Sequence, residues 1–346
     1  MASLDDELTG HRRWKNRPEG SNWGDFGPDD QLGSLNHITP AEVRAAAAEI
    51  VEGRTFCLSL PLNYPGGRAL APHRFPPVLH STERRGHPFF NYPFTHEGPC
   101  FTDVGCDDYV TLCTQYSTQW DSLAHVGCAF DADGDGVAEH CYYNGFRAGD
   151  HIRPPEERGK DTTMPLGIDA FAARGIQGRG VLVDLAHHYG RGKSTLGLAP
   201  LLAAMDADGV EVRRGDILCL HTGFADELLH VDGEPTAEWV HNICAALDGS
   251  DQALLDWLSA SGIAALVADN YAVERIDHPA GSCATRFVPL HQHCLFRRGI
   301  PLGELWHLTE LADWLRQAGR HAFFLSAPPL RLPGAVGSPV TPLATV

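Results

Sequence analysis

The sequence predicts an α/β fold, and three observations lead there. Continuous apolar runs, GRGVLVDLAHH at 178–188, GDILCLHTGF at 215–224 and IAALVADN at 263–270, read as buried strands. Each ends in polar residues. Between them lie helix-patterned segments, LGLAPLLAAMDADGV and DQALLDWLSASG. Strands interleaved with helices build a sheet with helices on its faces.

In chain order, residues 1–22 are polar and expected to be mobile, and 23–346 are expected to form one domain without a linker. TPAEVRAAAAEIVEG reads as a helix. Thr39 is its N-cap, Pro40 its first residue, Glu42 completes a capping box and Gly53 ends it. TFCLSLPL reads as a strand. Residues 63–105 are rich in proline, glycine and histidine and read as a long irregular loop. His80, His87 and His96 there could reach a pocket, and Phe89, Phe90, Tyr92, Phe94 and Phe101 could line one. YVTLC at 109–113 is strand-like. LHQHCLFRRG and TELADWLRQAG read as helices, and HAFFLSAPPL as a last long strand.

Acidic residues outnumber basic ones 44 to 27, a formal net charge of −17. That surface repels nucleic acid and anionic membranes, so neither is an expected partner. A local pocket can still differ from the mean and accept an anion. Ten cysteines without a CxxC pair, no signal-peptide pattern and no spanning segment point to a cytoplasmic protein with free thiols.

One stretch carries most of the chemistry: TQYSTQWDSLAH, 114–125. Gln115, Gln119, Asp121 and His125 all fall on odd positions, so an extended run would turn all four to one face. A carboxylate and an imidazole in one pocket can move protons or hold a metal. A second loop, DADGDGVAE, resembles the first half of an EF-hand through Asp131, Asp133 and Asp135. Its twelfth position is Tyr142 rather than glutamate, and Glu139 is a partial substitute.

The 114–125 stretch resembles the HxGTHxDxPxH signature of the cyclase family that includes kynurenine formamidase and isatin hydrolase. WGDFGPDDQLGSLNHIT, GRGVLVDLA, GDILCLHTGF, ALVADNYAVE and GSPVTPLA resemble landmarks of a longer-chain branch with a TQWD core. The resemblance spans residues 20–346. It implies a mixed central sheet or barrel-like β core with flanking helices. It also implies that the positions of Gln115, Gln119 and Asp121 are metal-binding and that His125 assists catalysis. In PLHQHCLFRRGIPLGE it places His291, with His293 as rival, and Glu304 near the metal.

The departures are chemical. Gln115 and Gln119 stand where the pattern has imidazoles, and amide oxygens are harder, weaker ligands. Gln115, Gln119, Asp121, His291 and Glu304 would therefore hold manganese, magnesium or calcium rather than zinc, or act without metal. The reaction expected from the resemblance is hydrolysis of a cyclic amide, lactone or related carbonyl compound. The alternatives are a cyclase or lyase acting on an aromatic polyketide-like substrate, or a binding protein that kept the fold. A small molecule is the expected ligand, and a homodimer or homotetramer the expected assembly.

Overall fold

The computed structural model describes residues 13–231, 234–276 and 286–346. Its centre is one sheet of nine strands: β1 (Thr55–Cys57), β2 (Gln119–Asp121), β3 (Gln177–Asp184), β4 (Ile217–His221), β5 (Ala265–Ala268), β6 (Leu302–Glu304), β7 (Ala322–Ser326), β8 (Gly337–Pro339) and β9 (Leu343–Thr345). Their spatial order is β1-β9-β7-β3-β4-β5-β6-β2-β8. The middle, from β3 to β6, is parallel, and both flanks are antiparallel. The sheet is therefore mixed.

The three apolar runs of the sequence are β3, β4 and β5, three neighbours in the parallel centre. Every residue of β4 and β5 is buried. That is why they read as continuous apolar runs rather than alternating ones. Helices α1 (Pro40–Ala47), α2 (Leu198–Asp208), α3 (Gln252–Ser261) and α4 (Thr309–Ala318) accompany the sheet. Helix α1 starts with the expected capping box: Thr39 accepts from Ala41 N–H, and Glu42 accepts from Thr39 N–H. No helix among the described residues is long and apolar enough to cross a membrane.

Several expectations change. Helix α1 stops at Ala47 and not at Gly53, and the strand in HAFFLSAPPL is confined to Ala322–Ser326 and is followed by β8 and β9. Residues 1–12 lie outside the described residues, but 13–22 are packed rather than mobile. Trp14 is buried edge-on against Trp23, and the Asn22 amide donates to the Arg298 carbonyl at 2.8 Å. The 63–105 region is not irregular throughout. Val78–Ser81 pairs with Asp108–Thr111, Glu83–Arg84 with His87–Pro88, and Tyr92–Pro93 with Val104–Gly105. These strands are only two to four residues long, too short for a period of two to show in the sequence. YVTLC belongs to an exposed two-stranded ribbon and not to the main sheet. Lastly, the helix over 290–299 is α-helical only at Pro289–His291 and continues as a π-helix over Gln292–Arg298.

That π-helix ends at Gly299, whose carbonyl accepts from Ser34 N–H at 2.7 Å. Gly33 has a φ of +56°, and a Cβ there would lie 2.1 Å from the Gly299 oxygen. Only glycine fits that close approach. Gly33→Ala is expected to destabilise the fold more than Thr39→Ala. Loss of the Thr39 cap costs about 1 kcal/mol. Urea midpoints of the two variants check the order.

Candidate functional site

The site begins with strand register. Glu304 on β6 lies directly opposite Gln119 on β2, and Leu302 opposite Asp121. Opposed residues share a face, so Gln119, Asp121 and Glu304 form one patch. Trp120 points the other way, packing edge-on to Trp306 with ring centres 5.1 Å apart and donating to the Ala327 carbonyl. The alternation inferred from odd positions thus holds for Gln119 and Asp121. It does not account for Gln115 and His125, which lie in turns on either side of the three-residue strand.

Those turns nevertheless bring both residues in. Gln115 Nε2 donates to Asp121 Oδ1 at 2.5 Å and to His125 Nδ1 at 2.9 Å. Its side chain fits because Gly337, across from Asp121 on β8, has no Cβ; one would lie 2.4 Å from the Gln115 chain. Because Nδ1 of His125 accepts, its proton sits on Nε2, which is 3.9 Å from Asp121 Oδ1. Burial holds this imidazole below its ordinary pKa, against the pull of Asp121. The ring is therefore neutral near pH 7.

Gln119 Nε2 donates to Glu304 Oε2 at 2.8 Å. Burial and then the charge of Asp121 raise the Glu304 pKa. His291 joins from the α-to-π junction: its Nε2 is 3.1 Å from Glu304 Oε1. Its Nδ1 is 2.7 Å from Glu274 Oε1, and the same carboxylate accepts the N–H groups of Leu290 and His291. Burial alone would lower the His291 pKa, but the two carboxylates outweigh it and raise it.

Glu274 is the residue that sequence reasoning missed. It ends ALVADNYAVE, a segment noticed for its resemblance and not for its carboxylate. Its partner is 17 positions away, at the start of an unlike element.

His293 is not part of this group. Its Nε2 meets Ser259 Oγ at 2.9 Å, and burial followed by the charges of Arg297 and Arg298 lowers its pKa to about 4. The histidines and aromatics of 78–111 contact one another, and Phe90 and Phe101 are exposed. His80 stacks on Tyr109, His87 stacks on His96, and Phe89, Tyr92 and Phe94 pack on one another.

The EF-hand-like expectation also changes. The clustered carboxylates are Asp131, Asp133 and Glu139. Asp135 turns away to cap Val137 N–H at 2.8 Å. Arg147 meets Asp133 at 2.9 Å and Glu139 at 3.1 Å, and Asp131 accepts the N–H groups of Gly134, Asp135 and Gly136. A guanidinium already supplies this cluster's positive charge.

The central group fits a metal. Asp121, His291 and Glu304 offer ligand atoms within 4.8 Å of one another. Gln119 Oε1 and Asp121 Oδ2 are buried acceptors without a hydrogen-bond partner. Such atoms are costly unless something positive meets them. Glu274, by holding the Nδ1 side of His291, leaves Nε2 for the site, an arrangement that orients metal-binding imidazoles.

The "Putative cyclase" family matches residues 58–275, and the chain belongs to it. A solved structure described as a novel cyclase is 33% identical, covering 94% of this chain and 97% of that one, with a TM-score of 0.76. Isatin hydrolase A from Labrenzia aggregata, solved with benzyl benzoate, is 13% identical over 87% of this chain and 95% of that one, with a TM-score of 0.55. Isatin hydrolase A from Ralstonia solanacearum is 14% identical over 89% and 98%, with a TM-score of 0.54. These two share the fold. No curated protein matches the sequence.

Glu274→Ala should strip a buried charge of its partner and cost about 3–5 kcal/mol. A urea midpoint close to that of the unaltered protein would show that Glu274 does not hold His291.

Proposed function

We propose that this chain is a hydrolase that opens a cyclic amide, lactone or related carbonyl compound by attack of an activated water. The observation carrying this reading is the pair of buried, unpartnered oxygens, Gln119 Oε1 and Asp121 Oδ2, beside Glu304 and His125. Two acceptors can orient a water by its hydrogens, and a carboxylate alongside can take its proton as the oxygen attacks.

Glu304 suits the role of base, because its raised pKa makes it a stronger proton acceptor than an ordinary carboxylate once ionised. His125 carries its proton on Nε2 and is neutral, so it donates that proton to the departing nitrogen or oxygen. Gln115 fixes the tautomer by bonding Nδ1, and it holds Asp121 in the same gesture. Glu274 and His291 position Glu304.

A divalent ion held by Asp121, Glu304, His291 and the Gln119 amide oxygen would polarise the carbonyl and lower the pKa of water. Two carboxylates, one imidazole and an amide oxygen form an oxygen-rich set, suited to manganese, magnesium or calcium over zinc.

His125→Ala is expected to lower kcat on a hydrolysed lactone or cyclic amide roughly 100- to 10,000-fold, with little change in KM. A product one water heavier than substrate separates hydrolysis from cyclisation. A folded His125→Ala protein with unaltered kcat would overturn the reading.

Manganese added to metal-stripped protein should raise Tm, by about 2.7 kcal/mol of stabilisation at a hundredfold excess over Kd. Asp121→Asn should abolish that rise. Equal responses in both proteins would remove Asp121 from the ligand set.

A further inference from the structure

Next to the proposed site lies a small pocket with a different character. Its walls are Leu70, Tyr116, Tyr271 and Leu305, with Arg68 and Arg74 among its lining residues and no acidic one. Two of these residues tie it to the chemistry. Tyr116 follows Gln115, and Leu305 follows Glu304. Leu305 has a φ of +56°, a strained value for a branched side chain, and Thr118 Oγ1 donates to its carbonyl while accepting from Leu60 N–H. Strain of this kind persists where surrounding structure holds it, often at functional sites.

Arg74 is the informative residue. Its Nη1 donates to the Gln115 carbonyl at 2.5 Å, which anchors the guanidinium one residue from the Asp121 cluster. Its Nε and Nη2 have no hydrogen-bond partner among the described residues. In a chain of net charge −17, a part-buried guanidinium with an open edge in an acid-free pocket is a local reversal of sign. Glu234 approaches Gly67 at the rim but does not line the pocket. The phenols of Tyr116 and Tyr271 are held by the Gly67 carbonyl and by His241, so their rings stand as fixed walls.

We propose that the substrate carries a carboxylate, and that Arg74 receives that carboxylate at the mouth of this pocket, whose space of about 20 Å³ leaves the rest of the substrate outside it. This rests on the hydrolytic reading and narrows its substrate class. A planar guanidinium presents two parallel donors to a carboxylate, which fixes orientation as well as charge. The hydrogen bond to the Gln115 carbonyl keeps the Arg74 charge close enough to act on His125 and Glu304, so an acid group held there lies near those residues.

Calorimetry on the full chain with benzoate and with benzamide tests this, because the two probes share a shape and differ in charge. Benzoate should bind at least several-fold more tightly than benzamide. Arg74→Gln should weaken benzoate roughly ten- to a hundredfold and leave benzamide unchanged. Should that variant fail to fold by circular dichroism, Arg74→Lys serves: it keeps the charge, loses the fork, and should weaken benzoate several-fold. Equal binding of the two probes to the unaltered protein, no heat with benzoate, or benzoate affinity that survives loss of the guanidinium overturns the proposal. Turnover surviving in a folded His125→Ala protein overturns the hydrolytic reading instead, so the two fail separately.

Discussion

The antiparallel pairing of β2 with β6 is the constraint on which the rest of the site depends. It sets Gln119 directly opposite Glu304 and leaves Asp121 on the same face. A slip of one residue would send Trp120 into the site and the carboxylate into the core. The register is secured from the other face. Trp120 and Trp306 pack edge-on, each indole donates to a backbone carbonyl, and Gly303 leaves room between them. The apolar side of the strand therefore fixes where the polar side lies.

Around that pair, charge is arranged in a chain. Glu274 holds His291, His291 meets Glu304, Glu304 accepts from Gln119, and Gln115 joins Asp121 to His125. Buried carboxylates alternate with groups that donate to them, which is how a low-dielectric interior tolerates several ionisable groups. Two oxygens are left over, Gln119 Oε1 and Asp121 Oδ2. Among the fully buried side-chain atoms of this network they alone lack a hydrogen-bond partner among the described residues, so a water, a substrate or a cation would find its acceptors there.

The two glutamines show how a substitution can change chemistry without dissolving a site. An amide has both a donor and an acceptor end. Gln119 spends its donor on Glu304 and presents its acceptor to the site; Gln115 spends its donor on Asp121 and His125. An imidazole bound to a metal through one nitrogen would make neither set of contacts in this way. The glutamines thus tie the carboxylates and the remaining histidine together through hydrogen bonds.

Much of this was legible in the sequence because it depends on local pattern. Buried parallel strands read as apolar runs, the Thr39 capping box spells its own helix start, and residues two apart on a strand share a face, as Gln119 and Asp121 do. Residue type also marked Asp121 and His125 as candidates, and the family resemblance marked His291 and Glu304. Tertiary structure decided the choices that depend on elements distant in the chain. It turned His291 inward and His293 toward Ser259, placed Glu274 against the start of the 289–298 helix, set Arg147 among the loop carboxylates, and brought Arg74 to the edge of the site. Sequence spacing carries the 2.0 and 3.6 periods of strands and helices. It carries nothing about which faces meet, because that is fixed only when the core packs.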